Sequence, residues 1–147
     1  MSRSRTSSPA ETERLAAELA GSLGAGDVVL VSGELGAGKT TFVRGACRAL
    51  GVTEPVVSPT FTIGRRYRGR VPVSHLDLYR LADLGAEEPG LLEDYLTPDA
   101  IAFIEWPAVL EPELERVAVR VVIEHAGHDE RRIQITHASP SVPERAP

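Results

Sequence analysis

Apolar residues near the start of the chain recur at the spacing of an α-helix. Leu15 and Leu19 lie four positions apart, and the pattern predicts a helix over Pro9–Leu23. Thr12 and Glu13 lie near its start and are expected to cap it or to add negative charge to its first turn. The glycine-containing segment that follows is expected to end the helix and turn the chain.

The next apolar positions form a continuous run instead of a stripe. Val28–Val31 contains only branched aliphatic residues, which is typical of a strand buried on both faces. Residues 33–38 are rich in glycine and predict a loop. Helical spacing resumes over Lys39–Leu50, a second helix that Gly51 is expected to end.

Later segments of the chain are apolar or alternate in polarity over the length of a strand. They predict strands over residues 60–67, 71–76, 101–104, 117–124 and 131–136, with hairpin turns at 68–70 and at Gly127-His128. The acidic residues 77–100 predict short helices and loops. Strands that follow a strand–loop–helix unit favour an α/β fold with a mixed, largely parallel central sheet, in which the hairpins supply the antiparallel strands.

Both ends of the chain are polar and lack periodicity. Residues 1–8 are rich in serine and arginine and are predicted to be a disordered arm, and residues 138–147 a disordered tail. The chain of 147 residues is long enough for one compact domain. We therefore expect a single domain over residues 9–137.

Composition narrows the class of protein. The net charge is −5, which argues against a dedicated nucleic-acid-binding protein. No apolar stretch is long enough to span a membrane, and no apolar segment follows the N-terminal arginines as in a secretory signal. Cys47 is the only cysteine, so an intramolecular disulfide is excluded, and no histidine stands at zinc-ligand spacing from it. A cytoplasmic location is the default expectation.

A glycine-rich motif carries the strongest chemical signal. It reads Gly33, Glu34, Leu35, Gly36, Ala37, Gly38, Lys39, Thr40, which satisfies the phosphate-binding pattern G-x-x-x-x-G-K-[ST] between a predicted strand and a predicted helix. Glycines allow successive backbone N–H groups to face one anion, and the helix N-terminus adds positive charge. Lys39, the only lysine of the chain, is expected to reach the β- and γ-phosphates, and Thr40 to ligate Mg²⁺. The motif specifies the fold further, as a P-loop NTPase-like three-layer sandwich.

The absence of asparagine restricts the nucleotide and the reaction. The Asn-Lys-x-Asp motif by which GTPases usually read guanine cannot form, so ATP is the default nucleotide. A protein kinase is excluded by the missing catalytic-loop asparagine and by the form of the glycine loop. The only glutamine, Gln134, lies in the last predicted strand and is poorly placed to orient a water molecule.

Two carboxylates end predicted strands and are candidate members of the metal shell. Glu105 follows the apolar run 101–104, which is the Walker B arrangement with glutamate in place of aspartate, and Asp77 follows the strand 71–76. Each is also compatible with a solvated strand end or a helix cap.

Other polar residues have weaker signals. Thr60 and Ser58 follow the second helix, where nucleotide switches place a hydroxyl that senses the γ-phosphate, although a Ser-Pro turn is nearly as good an explanation. Trp106 follows Glu105 directly, but a lone tryptophan is more often part of a core. Arg44 and Arg80 are possible charge stabilisers for a transferring phosphate. Four further arginines surround Tyr67 in a predicted hairpin that could contact RNA or an acidic partner, or simply face solvent; they are Arg65, Arg66, Arg68 and Arg70.

Four motifs in this order resemble those of the TsaE family, formerly YjeE. They span residues 33–41, 58–61 (Ser-Pro-Thr-Phe), 75–81 (His-Leu-Asp-Leu-Tyr-Arg-Leu) and 104–107 (Ile-Glu-Trp-Pro). The family consists of small bacterial P-loop ATPases required for threonylcarbamoyladenosine formation at position 37 of tRNAs that read ANN codons. The resemblance implies a compact α/β nucleotide-binding domain, ATP and Mg²⁺ as cofactors, and slow hydrolysis by the isolated protein.

The resemblance also implies a partner and a set of roles. The partner is the TsaB–TsaD heterodimer, whose TsaD subunit transfers the threonylcarbamoyl group, and ATP hydrolysis would reset that complex between turnovers. By motif match, residues 34–41 would bind the nucleotide, with Lys39 on phosphate and Thr40 on Mg²⁺. Glu105 would be a further metal-shell ligand, and Thr41, Asp77 and Trp106 would support hydrolysis, Asp77 near the metal. Thr12 corresponds to a position beside the nucleotide base.

Two other functions remain open from the residues. A small nucleoside or nucleotide kinase shares the P-loop and the size class, although residues 81–100 are acidic where such an enzyme needs an arginine-lined lid. A nucleotide-responsive binding module, in which hydrolysis is incidental, is the non-enzymatic alternative.

Overall fold

A computed structural model describes residues 2–33, 38–57, 64–77, 95–106 and 117–137. Within these ranges the chain forms seven strands and two helices. In chain order they are β1 (Ser2–Thr6), α1 (Pro9–Ala20), β2 (Val28–Gly33), α2 (Lys39–Ala49), β3 (Gly64–Arg68), β4 (Pro72–Asp77), β5 (Ile101–Trp106), β6 (Val117–His125) and β7 (Arg131–His137). The predicted tail, 138–147, lies outside the described residues, as does most of the acidic segment 77–100.

All seven strands belong to one mixed sheet, as predicted. Their order is β1-β7-β6-β2-β5-β4-β3. The pairs β6–β2, β2–β5 and β5–β4 are parallel and form the middle, whereas β1–β7, β7–β6 and β4–β3 are antiparallel and form the two edges. The α/β class is therefore confirmed, with parallel pairing confined to the centre.

The prediction of a disordered arm over residues 1–8 was wrong. Ser2–Thr6 forms β1, which pairs antiparallel with β7 from Ser2 opposite Ile135 to Thr6 opposite Arg131. The segment has no apolar residue to indicate a strand, and only Thr6 of it is buried. Backbone hydrogen bonds to an existing strand order it instead.

Helix α1 begins at Pro9, as predicted, but a different residue caps it. Ser8 is the N-cap, and its hydroxyl accepts a hydrogen bond from the backbone N–H of Glu11, with Pro9 in the first turn. Thr12 and Glu13 are therefore not the caps, and Thr12 is buried. The helix ends at Ala20, before the predicted Leu23, where the N–H of Gly21 bonds back to Glu18.

The two helices pack on the same face of the sheet. Buried residues of α1 (Ala16, Leu19) and α2 (Phe42, Val43) form one core cluster with β2, β5, β6 and β7. The helices approach closely at Gly45, where an added Cβ would lie 2.5 Å from the Cα of Glu13. The opposite face holds a smaller cluster that includes Leu30, Leu76 and Ile104.

Candidate nucleotide-binding site

The site lies where the central parallel strands reach their carboxyl ends and α2 begins. The register aligns Glu105 of β5 with Val31 of β2 on one side and with Asp77 of β4 on the other. The carboxyl ends of neighbouring parallel strands meet at one edge of a sheet, which is where open α/β sheets bind ligands. The fold thus brings the two predicted carboxylates together, from positions far apart in the sequence.

The start of α2 is suited to an anion. Gly38 is its N-cap with φ of 103°, a left-handed conformation that favours glycine, and it supplies no side chain to bond the first N–H groups of the helix. The first turn carries no acidic residue. The N–H groups and the positive end of the helix dipole therefore face the place where the sequence motif predicts phosphate.

Lys39 is almost completely buried at this helix start. Its side chain is 4% exposed, and Nζ donates a hydrogen bond to the backbone carbonyl of Gly33 at 3.0 Å. The ammonium therefore lies between the end of β2 and the beginning of α2. A buried cation is costly unless it is paired, and an incoming phosphate is the kind of partner that this position suits.

Thr40 and Glu105 contact each other directly. The Thr40 hydroxyl donates to Oε2 of Glu105 at 3.0 Å, and the Glu105 residue is 3% exposed. The hydroxyl donates its single proton in this bond, and it is through its oxygen that a threonine hydroxyl ligates a cation. The Walker A hydroxyl and the Walker B carboxylate predicted from sequence are thus adjacent.

The structure adds His75 to this pair. Its Nε2 lies 2.6 Å from Oε2 of Glu105, and the histidine is fully buried. No role for His75 is predicted from the sequence pattern. The available signal was strand alternation, since His75 and Asp77 are two residues apart on β4 and so lie on the same face of the sheet.

A small cavity of about 40 Å³ adjoins the start of α2. It is lined by Pro9, Thr12, Gly38, Thr41, Asp129 and Arg131. Thr12 and Thr41, both predicted to contact nucleotide, are therefore brought to one place. The hydroxyl of Thr12 is hydrogen-bonded to that of Thr6 at 2.7 Å, so β1 holds this wall of the cavity.

Arg131 is a second residue that the sequence did not single out. Its Nε lies 3.8 Å from the position that a Cβ on Gly38 would occupy. The guanidinium also donates to the carbonyls of His128 and Glu130 at 3.0 and 2.9 Å, which fixes it in the β6–β7 turn. A positive charge from the end of the chain thus lies beside the P-loop helix.

The arginines singled out from the sequence lie elsewhere or are not described. Arg44 is in the body of α2 and pairs with Glu13 of α1 at 3.5 Å. Arg65, Arg66 and Arg68 are exposed on the edge strand β3, where Arg65 lies over the ring of Tyr67, 6.0 Å from its centroid. A role of this hairpin toward a partner stays a prediction.

Several predicted residues fall outside the described part of the chain. They are Glu34, Leu35, Gly36, Ala37, Ser58, Thr60 and Arg80. Trp106 is the last residue of β5, and only its backbone is described.

A larger groove, of about 700 Å³, lies on the opposite face of the sheet. Residues of β1, β6 and β7 line it, among them Arg3, Arg5, Val122, Glu124, Arg132 and Gln134. They alternate with residues of the helix-side core such as Ile123 and Ile133. The described lining consists of strands without a helix N-terminus, so it lacks the feature that makes the start of α2 suited to an anion.

The donors at the α2 site fit Mg²⁺ better than a transition metal. A threonine hydroxyl and a carboxylate are hard oxygen ligands, which Mg²⁺ takes in small number together with phosphates and water. Within the described ranges no group of three or more His, Cys, Asp and Glu side chains could hold a metal ion. In the same ranges no helix is long and apolar enough to cross a membrane.

Fold and site together define an α/β protein in which a buried central strand leads through a Gly-x-x-x-x-Gly-Lys-Thr motif into a helix. Residues 6–133 match the family model described as threonylcarbamoyl adenosine biosynthesis protein TsaE. The chain belongs to the TsaE family.

Individual relatives agree with the family match. The chain is 41% identical over 133 residues to the tRNA threonylcarbamoyladenosine biosynthesis protein TsaE of Bacillus subtilis, covering 90% of this chain and 83% of that protein. It is 43% identical over 109 residues to the protein of the same name from Synechocystis, covering 70% and 68%. The crystal structure of Bacillus subtilis YdiB superposes with a TM-score of 0.75 at 36% identity, covering 99% of this chain and 90% of that one. The chain is thus part of a family involved in tRNA threonylcarbamoyladenosine biosynthesis.

Proposed function

We propose that this protein binds ATP with Mg²⁺ at the start of α2 and hydrolyses it as an accessory to the TsaB–TsaD complex, in the modification of tRNA at position 37. The observation that carries the proposal is the contact between Thr40 and Glu105, 3.0 Å from Oγ1 to Oε2. It links a P-loop hydroxyl to the carboxylate that ends the neighbouring parallel strand, as a magnesium nucleotide site requires.

Different residues bind the phosphates, the metal ion and the remainder of the nucleotide. Lys39 and the first N–H groups of α2 hold the phosphates, and Thr40 with Glu105 holds the metal shell, while Asp77 adds negative charge beside Glu105. The small cavity next to Thr12 and Thr41 cannot enclose a nucleoside, but it marks the side of α2 along which the remainder of the nucleotide would lie. Bound Mg²⁺ supplies charge neutralisation for the phosphates. Besides Lys39, Arg131 supplies a second positive charge beside Gly38.

Slow hydrolysis by the isolated chain follows from the same site. P-loop proteins that obtain their arginine from a partner are slower without it by about 10³- to 10⁵-fold. Arg131 is held by carbonyls of its own turn, and the sequence offers no glutamine at the P-loop edge to orient water. We therefore expect a partner to complete the catalytic geometry.

The test measures binding and turnover separately. Isothermal titration with Mg-ATP should detect binding by the wild type and none by Lys39→Ala, whereas Glu105→Ala should bind nucleotide but release phosphate more slowly. Phosphate release should rise when the TsaB–TsaD heterodimer is added. Equal rates with and without a heterodimer that demonstrably binds would contradict the accessory role, and transfer of phosphate to an added nucleoside would indicate a kinase instead.

A further inference from the structure

His75 forms the shortest polar contact of the site. The distance from its Nε2 to Oε2 of Glu105 is 2.6 Å, and His75 has no exposed surface. Strand β4 positions it opposite Phe103 of β5, and the ring of Tyr67 lies 6.4 Å away, centroid to centroid. The imidazole is thus fixed by packing as well as by its hydrogen bond.

The proton on His75 can be assigned from its surroundings. A carboxylate oxygen accepts hydrogen bonds, so Nε2 is the donor toward Glu105. Nδ1 is buried and has no hydrogen-bond partner among the described residues. An unpaired buried N–H is rarer than an unpaired acceptor, so both ring nitrogens are consistent with Nε2 as the donor to Glu105.

Glu105 is consequently held at one oxygen by two donors. Oε2 accepts from both Thr40 and His75, one from α2 and one from β4. A carboxyl group that is 3% exposed needs such donors, because burying its oxygens without hydrogen-bond partners is costly. With Oε2 fixed from two sides, the carboxylate cannot rotate freely, and the direction of Oε1 is also set.

We propose that His75 is a positioning residue for the metal shell: its Nε2–H holds Glu105 so that Thr40 keeps its hydroxyl proton on the carboxylate and its oxygen lone pairs toward Mg²⁺. The proposal deepens the proposed function and rests on it for the identity of the cation. It assigns to a buried strand residue the part that outer-shell hydrogen bonds play at metal sites, where their loss costs about 10- to 100-fold in affinity or activity.

The experiment compares His75→Leu, which cannot donate, with His75→Gln, whose amide N–H can take the place of Nε2–H. Affinity for a fluorescent ADP analogue is measured in EDTA and in Mg²⁺, and the ratio of the two dissociation constants is the readout. His75→Leu should reduce the tightening by Mg²⁺ about tenfold without changing the affinity in EDTA. His75→Gln should restore most of it.

A matched control distinguishes positioning from general damage to the strand. Ser74 is equally buried on β4 but donates to the carbonyl of Tyr95 at 2.8 Å and does not touch Glu105. Ser74→Ala should leave the Mg²⁺ ratio unchanged. An equal loss in Ser74→Ala and His75→Leu, or a folded His75→Gln as weak as His75→Leu, would overturn the proposal.

A second measurement needs no nucleotide and keeps the proposal testable if a variant does not fold. Imidazole ¹⁵N NMR of the unliganded wild type should show a proton on Nε2 of His75, and a ring without a proton on Nε2 would overturn the assignment. A wild type that binds no Mg-nucleotide contradicts the proposed function, whereas a wild type that binds normally beside an unaffected His75→Leu contradicts only the role of His75.

Discussion

Thr40 and Glu105 are 65 positions apart in the sequence, yet the hydroxyl of one donates to the carboxylate of the other at 3.0 Å. The contact joins the first turn of α2 to the end of β5. It depends on β5 lying directly beside β2 in the sheet, since β2 is the strand that leads into α2. The two halves of the proposed metal site are therefore assembled by the strand order.

Replacing Thr40 tests this contact. Thr40→Ser keeps a hydroxyl that can both donate to Glu105 and ligate the cation, whereas Thr40→Val keeps the shape and removes the oxygen. We expect Thr40→Val to lower Mg²⁺-dependent phosphate release by about tenfold or more and Thr40→Ser to retain most of it. Magnesium titrations of the initial rate measure the difference. A valine variant as active as the serine variant would refute the role of the hydroxyl.

Because the two helices approach closely at Gly45, one added methyl group there should lower the free energy of unfolding. A Cβ at Gly45 would lie 2.5 Å from the Cα of Glu13, so Gly45→Ala must push α1 away from α2. Overpacking of this kind costs about 1–3 kcal/mol of unfolding free energy. Gly24 has no atom within 4 Å of the equivalent position and serves as the control. Urea unfolding should show a loss for Gly45→Ala only, and equal midpoints for both variants would contradict the packing described.

Substitutions of the buried residues Thr6 and Thr12 should have non-additive effects on the free energy of unfolding. Both residues are less than 5% exposed, and their hydroxyls bond each other at 2.7 Å. Replacing either by valine leaves the other hydroxyl unpaired and should cost about 1–3 kcal/mol, whereas replacing both should cost less than the sum. A double-mutant cycle by chemical denaturation measures the coupling. Strict additivity would show that the two hydroxyls do not depend on each other.

The carboxyl group of Glu11, in the first turn of α1, should make the free energy of unfolding depend on pH. The backbone N–H of Ser7, at 2.7 Å, and then the Ser7 hydroxyl lower the pKa of the Glu11 carboxyl below its usual value. Because the pKa is lower in the folded state, the stabilisation is present above the unfolded-state pKa, about 4, and is lost as the pH falls through the folded-state pKa.

The corresponding variant is Glu11→Gln. It should unfold at lower urea than the wild type at pH 7, and the two midpoints should converge toward pH 3. Ser7→Ala should reproduce part of the loss, since the backbone donor remains. A midpoint difference that persists unchanged at pH 3 would argue against the carboxylate as its source.

Cys47 should be unreactive while the protein is folded. Burial raises the pKa of its thiol to about 12, with Arg48 only partly opposing the shift. At pH 8 the thiolate, which is the nucleophile, is then roughly one part in ten thousand. Labelling with a disulfide reagent should be slow in buffer and fast in urea at the same pH, and fast labelling of the folded protein would contradict this burial.

The central part of the fold could be predicted because its residues have one-sided or continuous apolar patterns. Val28–Val31 and the 101–104 run were recognisable as buried strands, and they are adjacent in the sheet. Lys39, Thr40 and Glu105 could be predicted because the motif fixes residue types and the strand ends fix their place. Periodicity, in contrast, does not show which strands are neighbours.

The remaining features depend on contacts that no local pattern records. β1 is polar and pairs with β7 through backbone hydrogen bonds, so its composition indicated disorder. Arg131 lies near Gly38 because of the strand order. β7 is two strands away from β2, and the β6–β7 turn lies at the same end of the strands as the start of α2. His75 was hidden in a motif in which the carboxylate of Asp77 was the more obvious chemical group.

The pairing of β1 with β7 also has a consequence for synthesis. β1 receives its partner only when nearly the last described residues have been synthesised, and β2 likewise waits for β5 and β6. Contacts this distant in sequence slow folding. Until β5 and β6 have been synthesised, a nascent chain therefore carries the end of β2 and the start of α2 without the strands that lie beside them, and the pocket wall at Thr12 closes last.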